Sequence, residues 1–173
     1  MNKLIFSVAL ILSLGLVACG DSKEENLSGT TNNNKEATET EVKPEESKED
    51  SNEINELIVD NENVKATLVK IVKKNDETWG NSYEVVFDIE NKRADSIEVQ
   101  ARSISADGRM VDETITSMSQ EVAAGKTAQA KLTISELEGY EFPELNSDLE
   151  MTLHVFSWEN YEWYEDHPVK VSF

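Results

Sequence analysis

The sequence contains a single cysteine, Cys19, and only two histidines, His154 and His167. A lone cysteine can neither close a disulfide within the chain nor supply a thiolate cluster for a metal ion. Neither histidine has a second histidine two or four positions away, and we interpret both as solvated, His154 on the polar face of a strand and His167 in a turn. Gly-x-Ser-x-Gly, phosphate-binding glycine loops and His-Glu-x-x-His are also missing. The sequence therefore predicts no enzyme, no cofactor and no metal site.

Basic residues are the next shortage, with 16 lysines and arginines against 35 aspartates and glutamates and a formal net charge of −19. Binding to nucleic acid depends on lysines and arginines that neutralise phosphates, so nucleic acid is excluded as a predicted partner. The same charge disfavours adsorption to anionic lipid. It favours solubility and, among ligands, cationic partners.

The excess of carboxylates leaves open a second function, the binding or buffering of a calcium-type cation. An EF-hand loop needs acidic residues at alternate positions, a central glycine and a closing glutamate. Residues 60–63 and 75–80 come nearest and do not meet this spacing. Carboxylates from separate loops could still converge, so cation binding stays as the alternative.

Long hydrophobic runs are lacking too, because the longest, residues 4–17, is shorter than the roughly 20 residues that a helix needs to cross a bilayer. A lysine precedes this run and small residues end it, which is the arrangement of a secretory signal. The run ends on Leu16-Val17-Ala18-Cys19. This motif resembles the lipobox of bacterial lipoproteins, an aliphatic residue, a tolerant position and a small residue before the cysteine. We predict that residues 1–18 are a lipoprotein signal peptide.

The lipobox resemblance implies a membrane anchor. In that family the thiol corresponding to Cys19 receives a diacylglyceryl group, and the chain is cut before it, with Leu16, Val17 and Ala18 recognised by the peptidase. Each buried CH₂ contributes about 0.8 kcal/mol, so two acyl chains hold a protein essentially permanently. The resemblance therefore implies a protein on the outer face of the cell membrane, exposed to the exterior, with the membrane as a partner through Cys19.

Apolar residues are scarce again between residues 20 and 53, where Leu27, Ala37 and Val42 are the only candidates for burial. Low hydrophobicity with high charge cannot offset the entropy lost on ordering. We therefore predict that residues 19–56 are a disordered acidic tether. A flexible coil of this length has a mean span of roughly 30–35 Å.

From residue 57 to residue 173 the pattern is that of strands. Apolar and polar residues alternate, as in residues 83–90 and 149–155, and period two with one polar face is typical of half-buried antiparallel strands. Asp107-Gly108 and Ala124-Gly125 mark tight turns. We predict one all-β domain, an Ig-like antiparallel β-sandwich of about seven strands. The predicted strands cover about 64–73, 81–91, 96–105, 109–118, 126–135, 148–158 and 167–173.

Three segments carry a family resemblance: YEVVFDIENK at 83–92, IEVQARSISADGRMVD at 97–112 and VAAGKTAQAKL at 122–132. They resemble the Ig-like domains of unknown function that lipoproteins of low-GC Gram-positive bacteria carry. The resemblance covers roughly residues 57–173 and implies the sandwich fold. It transfers no catalytic or binding residue.

The stretch FSWENYEWYED at 156–166 interleaves aromatic and acidic residues. Tryptophan and tyrosine offer large contact areas at small entropic cost, which suits a recognition loop or a platform for stacking sugars. Cross-strand packing of the same rings is the other interpretation. The candidate ligand-binding residues are Trp158, Tyr161, Trp163 and Tyr164. The acidic connection at residues 136–144 is a second loop with the same ambiguity.

These observations predict a membrane-anchored extracellular lipoprotein without catalytic activity. Its domain would be an interaction module for an envelope protein, a peptide or a wall polymer.

Overall fold

A computed structural model describes residues 23–31 and 53–173. The predicted signal peptide, its recognition residues Leu16, Val17 and Ala18, and Cys19 lie outside the described residues. Within those two ranges, the longest helical segment is a single 3₁₀ turn, Glu113–Ile115, and no helix is long and apolar enough to cross a membrane.

The described residues form twelve strands. In chain order they are β1 (Lys23–Leu27), β2 (Thr30–Thr31), β3 (Glu56–Asp60), β4 (Val64–Asp76), β5 (Gly80–Asn91), β6 (Ile97–Ala106), β7 (Arg109–Met110), β8 (Thr116–Ser117), β9 (Gln120–Val122), β10 (Thr127–Ser135), β11 (Asp148–Phe156) and β12 (Tyr164–Ser172). Every pairing between them is antiparallel.

Two sheets pack face to face as a sandwich. The first has the order β1-β4-β5-β10-β8, with β3 also paired to β4, and the second has the order β2-β12-β11-β6-β7, with β9 paired to β6. The predicted all-β antiparallel sandwich is confirmed, and it is compatible with an Ig-like domain.

The core lies between the sheets because alternate residues of each long strand face inward. Phe87 of β5, Leu132 of β10 and Leu153 of β11 are fully buried, as the alternation predicts. On the outer face of the first sheet, Glu84 lies between Lys74 and Lys131, with nitrogen–oxygen distances of 3.3 Å and 3.2 Å. Burial opposes ionisation of Glu84, but the two lysines outweigh it and lower the pKa of the carboxyl.

The predicted strand at 109–118 is wrong in part, because only its two ends, β7 and β8, are strands. Between them the chain turns into the 3₁₀ helix. The Asp112 carboxylate accepts a hydrogen bond from the Thr114 backbone N–H at 2.8 Å, an N-terminal cap that starts this turn. The turn buries Ile115 in the core, so the apolar residue that suggested a strand is satisfied by a helical turn.

The predicted disordered tether at 19–56 is corrected for residues 23–31, which we call the strap. Lys23–Leu27 pairs with β4 from Asn75 to Ile71, and Thr30–Thr31 pairs with β12 at Ser172 and Val171. The strap therefore crosses from one sheet to the other along one side of the sandwich. Glu56 also belongs to a strand, β3, and residues 32–52 of the predicted tether lie outside the described residues.

The loops gather at two opposite ends of the sandwich. The turns at 61–63, 92–96, 123–126 and 157–163 form one end, which we call the aromatic end. The turns at 77–79 and 107–108 and the connection at 136–147 form the other, which we call the strap end because the strap begins there, with Lys23 opposite Asn75.

Candidate functional site

The hairpin of β11 and β12 carries an exposed group of aromatic rings at the aromatic end. Phe156 and Tyr164 face each other as the last cross-strand pair, and residues 157–163 form the turn beyond them. Trp158 is 57% exposed, Tyr161 79% and Tyr164 60%. Large apolar side chains this exposed are candidates for contact with a partner.

The rings touch one another in a continuous chain. Phe156 and Trp158 lie edge to face, with ring centroids 4.9 Å apart, and Trp158 and Tyr161 are likewise tilted, at 6.2 Å. His154 continues the chain to Phe156 at 5.2 Å and to Tyr164 at 5.7 Å. Such edge-to-face pairs each contribute about 0.5–1.5 kcal/mol beyond simple burial. The rings therefore form one surface, which we call the aromatic surface.

Trp163 differs from the other three predicted residues, because it is half-buried and packs against the core. The guanidinium of Arg93 lies 3.8 Å above the centre of its ring. Arg93 in turn donates two hydrogen bonds to the Asp95 carboxylate, at 2.8 Å and 2.9 Å, and the buried Ser157 hydroxyl donates a third at 2.8 Å. The bonds from Arg93 lower the pKa of Asp95 against partial burial, and Ser157 adds to the effect. Trp163 thus holds the hairpin in place, while Trp158, Tyr161 and Tyr164 are presented.

The sequence predicted a solvated His154, and this prediction is wrong, because only 8% of the residue's surface remains accessible. Phe156 and Tyr164 cover it, and its Nδ1 lies 2.6 Å from the Asp166 carboxylate, directly opposite on β12. His167 lies in β12 rather than in a turn. The contact between His154 and Asp166 follows from the register of the hairpin. The register that pairs Phe156 with Tyr164 also pairs His154 with Asp166.

Glu165, the second residue of β12 after the turn, connects this hairpin to the turn at 61–63 of the first sheet. The side-chain amides of Asn61 and Asn63 donate to its carboxylate at 2.7 Å and 2.6 Å, and His167 Nε2 lies 3.0 Å away. Burial opposes ionisation of Glu165, but the two amides, together with His167, prevail and lower its pKa below the ordinary 4.5. The folded state therefore favours the ionised form of the Glu165 carboxyl.

We expect this contact to make stability depend on pH. A carboxylate with a lowered pKa in the folded state stabilises the fold above its ordinary pKa and loses that contribution as the pH falls through the folded value. Glu165→Gln should therefore cost about 1–2 kcal/mol at pH 7, where the charged hydrogen bonds are intact. The difference between wild type and variant should shrink below about pH 4.5. Urea unfolding at several pH values measures it, and a gap that does not change with pH would contradict the assignment.

Asp76 and Asp60, the carboxylates of the two segments nearest to a calcium motif, already have partners within the fold. Asp76 accepts hydrogen bonds from the backbone N–H groups of Thr78 and Trp79, at 2.7 Å and 3.0 Å. Asp60 pairs with Lys92. Within residues 23–31 and 53–173, no three or more histidine, cysteine, aspartate or glutamate side chains lie together in a group that could hold a metal ion.

A cavity of about 680 Å³ opens at the strap end, between the turn after β6 and the connection at 136–147. Its lining includes Met110, Tyr140, Phe142 and Pro143, together with Arg109 and Glu141, which form a bidentate ion pair at 2.6 Å and 2.9 Å. Phe142 stacks on Tyr83 with ring centroids 5.1 Å apart. One aromatic of the acidic connection is therefore packing, and Tyr140 is partly exposed.

No family model matches this chain, and no curated protein and no solved structure matches it significantly. The resemblance to Ig-like domains of bacterial lipoproteins stays a prediction from the three segments at 83–92, 97–112 and 122–132. The function has to be inferred from the residues of this chain.

Proposed function

We propose that the protein is a lipoprotein of the outer face of the cell membrane whose sandwich domain binds an envelope protein, a peptide or a wall polymer, without catalysis. The domain would belong to the Ig-like domains that lipoproteins of low-GC Gram-positive bacteria carry. The lipobox-like Leu16-Val17-Ala18-Cys19 supports the anchor.

The observation that carries the binding proposal is the aromatic surface itself. Three large rings, Trp158, Tyr161 and Tyr164, are more than half exposed. They lie at the turn of a hairpin that is held to the rest of the domain by two sets of contacts. Trp163 with Arg93 and Asp95 fixes one side, and Glu165 fixes the other. A rigid, exposed aromatic group loses little entropy on binding, and such residues dominate the energetics of many interfaces.

The carboxylates around the rings narrow the chemistry of the ligand. Glu159 and Glu162 are exposed in the same turn, and Asp166 lies beside Tyr164 on β12. Acidic groups around an apolar centre favour a ligand that offers apolar faces together with cations or hydroxyl donors. Basic peptide segments and wall sugars both fit this description. An anionic lipid or nucleic acid does not.

The alternative function, binding or buffering of a calcium-type cation, draws on the net charge of −19. It requires no convergent site, because scattered surface carboxylates also hold divalent cations weakly. A shift of the melting temperature with millimolar Ca²⁺, in the absence of any binding to protein or wall, would favour it over the aromatic surface.

Photo-cross-linking in intact cells tests the binding proposal. A photoreactive phenylalanine at Tyr161 should yield a discrete adduct with an envelope protein or a wall fragment, whereas the same probe at Glu90, exposed on the outer face of β5, should not. Trp158→Ala should then weaken binding of the captured partner by about 2 kcal/mol or more, roughly 30-fold in Kd, when measured well below the melting temperature, which falls because the ring contacts with Phe156 and Tyr161 are lost. Equal labelling at both positions, or a stability loss with unchanged affinity, would remove the aromatic surface as the site.

A further inference from the structure

We propose that the strap holds the sandwich directly at the membrane, with the strap end facing the lipid and the aromatic surface pointing outward. The proposal rests on the lipid anchor of the proposed function and adds the orientation of the domain. The bilayer surface is thus the partner of the strap end.

The length of chain between the anchor and the fold carries the first step. Cys19 precedes Lys23 by only four residues, and a fully extended chain spans at most about 3.3–3.6 Å per residue, roughly 14 Å here. Lys23 is fixed opposite Asn75, beside the turn at 77–79. A lipid on Cys19 therefore leaves the strap end within about 14 Å of the membrane. A tether reaching to residue 53 would allow many times that distance.

The contacts of the strap carry the second step. Its five-residue strand β1 pairs fully with β4, and the Glu24 carboxylate lies 3.1 Å from the Lys74 ammonium, which also contacts Glu84. At Gly29 the strap passes so close to β12 that an added Cβ would overlap Val171 Cγ1 and lie 3.0 Å from the Ser172 carbonyl oxygen. Val171 is fully buried and cannot move aside. Only glycine permits this crossing.

The exposed apolar side chains of the strap end fit a lipid surface. Trp79 is 84% exposed, Met110 69%, Leu137 47% and Tyr140 41%, and all four lie at this end. Tryptophan and tyrosine favour the boundary between lipid and water, where the ring is buried and its N–H or O–H stays hydrated.

The acidic side chains at the same end limit how deep the contact goes. Glu77 and Glu138 are exposed at this end and would be repelled by anionic headgroups. Free domain would therefore not adsorb to such a membrane. The lipid anchor makes the encounter intramolecular, so a contact too weak for the free domain becomes populated. We expect the rings to lie at headgroup depth.

At the aromatic end, Trp158 lies at the far side of the sandwich from Trp79. Strand β5 connects the two ends with twelve residues at about 3.3–3.4 Å each, so the ends are roughly 35–40 Å apart. The orientation thus places the aromatic surface where a wall polymer or envelope protein can reach it, and the separation makes the proposal measurable.

The experiment uses the full-length lipidated protein in vesicles of phosphatidylcholine and phosphatidylglycerol that contain a dansyl-labelled phosphatidylethanolamine. Two variants each retain one tryptophan, Trp79 or Trp158, with the other two tryptophans replaced by phenylalanine. Energy transfer to the dansyl headgroups should be several-fold stronger from Trp79 than from Trp158. The double variant Glu25→Pro with Asn26→Pro removes two consecutive backbone N–H groups from the middle of β1 and so weakens its pairing with β4; it should remove most of that difference. Ser28→Val, at the neighbouring exposed position, should preserve it.

The remaining outcomes contradict either the orientation alone or the orientation together with the lipid anchor. Equal transfer from both tryptophans, or a Glu25→Pro/Asn26→Pro variant that behaves like Ser28→Val, overturns the orientation alone, provided that the protein floats with the vesicles and its N-terminal peptide carries diacylglyceryl by mass spectrometry. A native preparation without lipid on Cys19 overturns the anchor and the orientation together. Circular dichroism of the Glu25→Pro/Asn26→Pro variant checks that the sandwich itself stays folded.

Discussion

Phe87→Ala is expected to lower the free energy of unfolding by about 3–5 kcal/mol, and Leu132→Ala or Leu153→Ala by about 2–5 kcal/mol. All three side chains are fully buried between the sheets, and each comes from a different strand. Truncation removes apolar area from a close-packed interior and leaves a cavity, because neighbouring strands cannot move together to fill it. Domains of this size have only about 5–15 kcal/mol in all, so a single change removes much of the stability. Urea unfolding followed by circular dichroism measures the loss.

Glu90→Ala on the exposed face of β5 is the matched control and should cost under about 0.5 kcal/mol. Glu84 on the same face is a less suitable control, because it is paired with Lys74 and Lys131 and only part of it reaches solvent. A larger cost at Glu90 than at Phe87 would mean that the two faces of β5 are exchanged.

Cys19→Ala is expected to release nearly all of the protein from the membrane fraction or leave it as an uncut precursor that retains residues 1–18. The change removes the acceptor of the two acyl chains, and at about 0.8 kcal/mol per buried CH₂ no weak surface contact replaces them. The net charge of −19 makes residual adsorption to anionic lipid still weaker. Fractionation and N-terminal mass spectrometry measure both effects.

Ser22→Ala, three residues further along, leaves the acceptor intact and should behave as wild type. Mature wild-type protein that begins at Met1 would refute the lipoprotein proposal.

The long strands were predictable because the alternation of apolar and polar residues indicates which side chains are buried. Five long strands lie within a few residues of their predicted positions: β4, β5, β6, β10 and β11. The sixth, β12, begins about three residues before its predicted start. In each, one face is packed and the other solvated, so a register shift of one residue would expose the whole apolar set. The same reasoning placed Phe87, Leu132 and Leu153 in the core.

The strap was not predictable because edge pairing is made by the main chain and needs no apolar pattern. Residues 23–31 are polar apart from Leu27, yet their N–H and C=O groups pair with β4 and β12. Composition predicted disorder from the entropy of ordering. That argument missed the two sheet edges, which offer a row of unpaired backbone groups to any nearby segment.

The candidate site was predictable only in outline. The sequence singled out the stretch at 156–166 but could not separate the presented Trp158 from the packed Trp163. That difference comes from Arg93, which is distant in sequence and reaches the Trp163 ring through the turn after β5. The burial of His154 likewise depends on Tyr164, which lies across the hairpin and packs against the imidazole ring.

The strap also has a kinetic consequence. β4 with β5 and β11 with β12 join neighbouring parts of the chain, so these hairpins can form early, whereas β2 pairs with Val171 and Ser172, about 140 positions away. If the chain is exported N-terminus first, as the proposed signal peptide implies, the strap emerges long before those partners. β2 would therefore be among the last strands to dock, although β1 can pair earlier with β4. Until β2 docks, the edge of the second sheet at β12 stays open and can pair with another chain.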